Sequence, residues 1–95
     1  MLLDWGGEEF AIIFCDSNKN QSYEFLERLR LKVMEANIEH LYNTAAQVIT
    51  ISIGAVCIKP TQYIEVDFLY KKADELLYHS KENGRNKVTI EELEE

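Results

Sequence analysis

Trp5-Gly6-Gly7-Glu8-Glu9-Phe10-Ala11-Ile12-Ile13-Phe14-Cys15 decides how this chain is read. Two adjacent glycines free a turn from Cβ atoms, so its backbone can take positive φ and approach a ligand closely. Two carboxylates follow, and then an apolar run from Phe10 to Cys15. The pattern predicts a hairpin that feeds a strand covered on both faces, with Phe10, Ile12 and Phe14 on one side and Ala11, Ile13 and Cys15 on the other. Leu2-Leu3-Asp4-Trp5 is the entering strand of that hairpin. Neighbouring strand residues point to opposite faces, so Glu8 and Glu9 share a cation only if the turn holds them together. Carboxylate oxygens suit hard divalent ions such as Mg²⁺, the usual partner of nucleotide phosphates. The plainer reading is a Gly-Gly hairpin followed by two solvated acids.

Outward from that stretch, Asp16-Ser17-Asn18-Lys19-Asn20 is turn chemistry and a helix entry. Residues 22–39 have helical period, with Phe25/Leu26, Leu29, Val33 and Ala36 as a stripe widened by Met34 and Ile38. A polar connection leads to a long β-branched run over 48–58. There Ile49, Ile51, Ile53, Ala55 and Cys57 form one face, and Thr50, Ser52 and Gly54 keep the other small. A small face with a glycine admits a ligand or a closely packed helix equally. Pro60 breaks the strand, and Asp67 is expected to cap a second helix over 67–82 with Leu69, Ala73, Leu76/Leu77 and Ser80 inward. Asn83-Gly84 stops it, and Lys87-Val88-Thr89-Ile90 is a last strand. The order is ββαβαβ: one α/β domain, with residues 91–95 left as an acidic tail.

Ninety-five residues with a formal charge of −7 suit one domain, or a piece of one, and argue against binding a nucleic acid polymer. A nucleotide held through a metal stays open. Cys15 and Cys57 lie in apolar strand patterns and read as reduced core thiols. No apolar run approaches the length of a membrane span, and no signal-peptide pattern precedes the first strand. The cytoplasm and no membrane contact by this segment are therefore the default, any anchor of a parent protein lying outside this sequence. Near the helix stop, Lys81, Arg85 and Lys87 gather positive charge. Cations there complement the helix dipole without any ligand.

Taken together, these blocks resemble a family. Gly6-Gly7-Glu8-Glu9-Phe10 is similar to the signature of GGDEF-type domains, the diguanylate cyclases. Thr50-Ile51-Ser52-Ile53-Gly54-Ala55 is similar to that family's strand pattern, and Ala73-Asp74-Glu75-Leu76-Leu77-Tyr78-His79-Ser80-Lys81 to its helix ending. Gly84-Arg85-Asn86-Lys87-Val88 is similar to the turn that follows.

The resemblance implies an α+β palm of ferredoxin-like, nucleotidyl cyclase type with an antiparallel-containing sheet. It also implies condensation of two GTP into cyclic di-GMP with release of two pyrophosphates. Two Mg²⁺ or Mn²⁺ ions per intact site and a homodimer of facing sites go with that chemistry. On this resemblance Glu8 and Glu9 are the metal-binding and catalytic acids. Gly6 and Gly7 let the backbone approach the nucleotide, and Lys81 and Arg85 hold its terminal phosphates.

There are departures. Asp4 stands where the family usually has Arg. The resemblance covers only the back half of the family's domain. The front half carries a metal-binding Asp on a strand and the guanine-recognising helices, and an inhibitory R-x-x-D site would end just before Met1. The expectation is thus a cyclase fragment inactive by itself. The alternatives are a receptor for GTP or cyclic di-GMP, or a dimerising half-domain. A missing strand between 10–15 and 48–58 would leave two apolar edges open to self-association, unless those strands close up directly.

Overall fold

The computed structural model describes residues 2–4, 7–16, 18–36, 49–59 and 63–93. Its elements run β1 (Leu2–Asp4), β2 (Gly7–Cys15), α1 (Lys19–Glu35), β3 (Ile51–Ile58), α2 (Val66–Glu82) and β4 (Val88–Glu92). They form a four-stranded sheet in the order β1-β2-β3-β4. The two helices cover opposite faces of it, because alternate strand residues pack into two separate apolar clusters.

The sheet differs from the antiparallel-containing palm expected from the resemblance. Its body is parallel: β2 pairs with β3 from Glu8↔Ile51 to Cys15↔Ile58, and β3 with β4 from Ile53↔Val88 to Cys57↔Glu92. Antiparallel pairing is confined to the short β1, at Leu2↔Glu9, Leu3↔Glu8 and Asp4↔Gly7. Each pair of long strands is joined by a helix, which is the connection parallel neighbours require. No gap remains between β2 and β3. The two strands close up directly, and each satisfies N–H and C=O groups that would otherwise be left unpaired on an inner edge.

On the α1 side, Leu26 is buried with Ile51, Ile53 and Ala55, and Phe10, Ile12, Phe14, Val33, Val88 and Ile90 pack around them. α1 begins earlier and ends sooner than its period suggested, with Asn18 as N-cap accepting from the Gln21 amide at 2.8 Å. Its inward residues are Ser22 and Leu26, whereas Phe25, Leu29 and Ala36 are exposed. Ile38 lies outside the described residues.

The α2 side is built differently. Val56, Leu69 and Ala73 are buried there with Ile13, Ile58, Ile64, Leu76 and Leu93 around them. A Cβ on Gly54 would sit 2.0 Å from the Leu77 amide nitrogen and 2.6 Å from the Ala73 carbonyl oxygen. The small face of β3 is therefore a seat for the α2 backbone, and the helix reading of that face is the correct one. Ser80, fully buried, donates to the Ile53 carbonyl at 2.9 Å and accepts from the Thr89 hydroxyl at 2.6 Å. α2 is N-capped by Glu65 without a side-chain bond, not by Asp67, which stands in the first turn. A carboxylate there still favours the helix dipole.

β4 runs to Glu92, so Glu91 and Glu92 belong to the sheet and not to a tail. Lys72 on α2 meets Glu91 at 3.0 Å and makes that acid acceptable at a strand position. Cys57 is a buried thiol as expected, but Cys15, at the end of β2, is exposed.

Candidate functional site

Pairing of β2 with β3 fixes which way the two acids face. Glu8 stands opposite Ile51, whose side chain belongs to the α1-side cluster, and Glu9 opposite Ser52. The carboxylates therefore point to opposite faces and do not converge on one point. Glu9 is 4 % exposed and lies beneath the C-terminal end of α2. Lys81 Nζ reaches its Oε1 at 3.3 Å, and Arg85 Nη1 reaches its Oε2 at 3.6 Å.

Two neighbouring cations thus meet an acid from the other end of the chain. A carboxylate this buried without partners would cost several kcal/mol, and the two cations remove that penalty. Glu9, Lys81 and Arg85 form an ion-paired group within the protein.

Backbone geometry delivers Arg85. The chain reverses between α2 and β4 through three successive left-handed residues, Gly84 (φ 111°), Arg85 (φ 61°) and Asn86 (φ 49°). Glycine and asparagine tolerate that region, but an arginine there costs on the order of 1 kcal/mol. The turn is held at several points. The Arg85 amide donates to the Ser80 carbonyl at 3.0 Å, and the Asn86 amide donates to Ser52 Oγ at 3.1 Å.

From the other face of the sheet, Arg30 on α1 donates to Asn86 Oδ1 at 3.0 Å and to its carbonyl at 3.3 Å. The same guanidinium grips Glu27 at 2.7 and 3.0 Å. Hydrogen bonding to Arg30 holds the Glu27 carboxyl below its ordinary range. Arg30 and Asn86 fix the turn that aims Arg85. Sequence reasoning had placed Asn86 only within a motif and had not singled out Arg30. An Arg on the buried side of an otherwise apolar helical stripe was the available signal.

Glu8 is the opposite case. Its Oε2 is buried and has no hydrogen-bond partner. A buried carboxylate oxygen without a donor is a place for a cation, and carboxylate oxygen is the ligand type that Mg²⁺ and Mn²⁺ take. The donor chemistry at Glu8 therefore fits a hard divalent ion. Among the described residues, no group of three or more His, Cys, Asp or Glu side chains converges into a metal cage. Gly7 opens β2 opposite Asp4, while Gly6 lies outside the described residues. Among the described residues, no helix is long and apolar enough to cross a membrane.

Comparison with known proteins gives this geometry its family context. The family described as diguanylate cyclase, GGDEF domain, matches residues 1–87. The probable diguanylate cyclase DgcT of Escherichia coli is 34% identical over 88 residues, which cover 93% of this chain and 19% of that protein. Diguanylate cyclase A of Treponema denticola is 35% identical over 86 residues, covering 90% of this chain and 22% of its own length. The uncharacterized protein YhcK of Bacillus subtilis is 37% identical over 90 residues, 95% of this chain and 24% of its own. The chain thus spans about a fifth to a quarter of the relatives it matches. No solved structure matches it. With the family's pattern running from residue 1 to residue 87, the chain belongs to the GGDEF domain family.

Proposed function

We propose that this chain is the nucleotide-handling portion of a diguanylate cyclase and that the Glu9–Lys81–Arg85 cluster is its triphosphate site. In the overall reaction two GTP become cyclic di-GMP and two pyrophosphates. Each 3′-hydroxyl oxygen bonds to the α-phosphorus of the other GTP, the bond from that phosphorus to its bridging oxygen breaks, and the hydroxyl proton is released. Two such sites must face one another across a homodimer. The observation that carries the reading is the meeting of Lys81 and Arg85 on Glu9, with Glu8, next in sequence on the opposite face of the sheet, keeping an unpartnered oxygen.

Glu8 and Glu9 would hold the divalent ions, whose chemistry is to neutralise phosphate oxygens as charge develops at phosphorus. Lys81 and Arg85 act as exchangeable cations. With no nucleotide they neutralise Glu9; with a divalent ion bound, Glu9 would hold the ion and Lys81 and Arg85 would face the phosphate oxygens of the triphosphate. Charge stays balanced in both states, so neither buried anion is left alone. Asp4, an acid where the family usually has a cation, supports a second reading in which the site binds nucleotide without turning it over.

The test uses the chain as purified. Mg²⁺·GTP should bind, and Lys81→Ala should weaken it by roughly tenfold to a hundredfold, as loss of a charge-assisted contact does. Cyclic di-GMP should not accumulate, because Glu8 and Glu9 point to opposite faces of the sheet and, among the described residues, no three metal-ligating side chains converge. Binding indifferent to both Lys81→Ala and Arg85→Ala would refute the site. Product formation abolished by Glu8→Ala would refute the inactivity.

A further inference from the structure

One edge of this sheet is β4, and its sequence is self-complementary. β4 pairs with β3 on one side, and among the described residues no strand pairs with the other. The ladder shows which groups are left over. The Lys87 carbonyl accepts from the Ile53 amide and the Leu93 amide donates to the Cys57 carbonyl. The odd-numbered residues thus face β3, and Val88, Ile90 and Glu92 direct N–H and C=O outward. Beside them runs an open groove of about 560 Å³, lined by Lys87–Ile90, by Lys19, Asn20 and Tyr23 of α1, and by His79 and Asn83 at the end of α2.

We propose that this edge pairs with the same edge of a second copy, antiparallel about a two-fold axis through Thr89. Residues that face one another across such an axis must lie on the same side of the sheet, so the register is limited to pairs of equal parity. Centred on Thr89, the register sets Val88 against Ile90 of the second copy, so the outward-directed groups of both strands meet as hydrogen-bonded pairs. It also sets Lys87 against Glu91 of the second copy, and Thr89 against its own equivalent.

Over residues 87–91 every cross-strand pair is then matched: two Lys–Glu, two Val–Ile and one Thr–Thr. Moving the axis to Ile90 instead keeps an Ile–Ile pair at the axis but puts Thr89 against Glu91, Val88 against Glu92 and Lys87 against Leu93, so both Lys–Glu pairs and both Val–Ile pairs are lost. Glu91 is already ion-paired with Lys72 yet partly exposed, so a second lysine can join it. Tyr23, 42% exposed on the groove wall, supplies apolar surface beside the seam. The interface is independent of the nucleotide reading, since neither Lys81 nor Arg85 lines the groove.

Charge reversal provides the test. Sedimentation over a concentration series should show a reversible dimer of the wild-type chain. Lys87→Glu alone and Glu91→Lys alone should each weaken it by roughly tenfold, since each sets like charges opposite one another at two places. An equimolar mixture of the two variants should dimerise again, because every reversed residue then meets its opposite. Recovery on mixing also shows that both variants are folded. A wild-type chain that stays monomeric at every concentration would overturn the proposal. So would a dimer unmoved by Lys87→Glu, or two variants that fail to associate on mixing while their circular dichroism matches wild type.

Discussion

The two faces of the sheet solve different problems. On the α1 side, large apolar residues meet across ordinary packing distance, and α1 keeps Tyr23, Phe25, Leu29 and Leu31 exposed. On the α2 side a glycine lets the helix backbone rest on the strand, and buried serines tie helix, sheet and turn together. The close approach on one side is what gives the C-terminal end of α2 a fixed height above β2. Lys81 and Arg85 can then find Glu9. A face packed only by large side chains tolerates small shifts; a face set by backbone contact does not. The proposed triphosphate site sits on the second kind.

If that contrast is right, the smallest side chain makes the largest difference. Gly54→Ala should cost more than roughly 4 kcal/mol, beyond the usual range for one methyl group, because the added carbon meets backbone that cannot swing away. Denaturant titration reads it directly. A loss under about 1 kcal/mol would show that α2 can lift off its seat. On the other face, Leu26→Ala, at a fully buried position, should cost about 3 kcal/mol and leave a folded protein.

A smaller effect is expected at the link between the faces. Arg30→Met should cost about 1–2 kcal/mol through the lost contacts to Asn86 and Glu27. Glu27, whose folded pKa lies below its ordinary value, adds stability that is fully present above that ordinary value and is lost as pH falls through the lowered one. Arg30→Met should remove that acid limb from the stability profile. Persistence of the limb in the variant would place its origin elsewhere.

The smallest expected effect is chemical. A thiol reagent should modify exposed Cys15 quickly and buried Cys57 only on unfolding. Equal rates would mean that the core around β3 opens readily.

Much of this was readable in the sequence, and the gaps have physical causes. The element order, the inward residues of α2 and the gathering of Lys81 and Arg85 at the end of α2 all follow from period and motif. The stripe of α1 was misread at Phe25 and Leu29 because the helix packs chiefly over β3 and β4, a narrower contact than its apolar residues suggest. Glu91 and Glu92 looked like tail because an acidic run hides a strand whose acid is matched by a lysine 19 positions earlier. That Glu9 takes both cations for itself needed coordinates, since pairing register decides which acid faces α2.

The most direct test of the cation-exchange site compares triphosphate binding with and without Mg²⁺ in wild type and in Glu9→Gln. In wild type Mg²⁺ should strengthen binding of inorganic triphosphate, because the metal frees Lys81 and Arg85 from Glu9. In Glu9→Gln the metal-free affinity should rise and the Mg²⁺ enhancement should fall away, since no carboxylate competes for the cations or holds the ion. Affinities that are the same in wild type and Glu9→Gln under both conditions would contradict it.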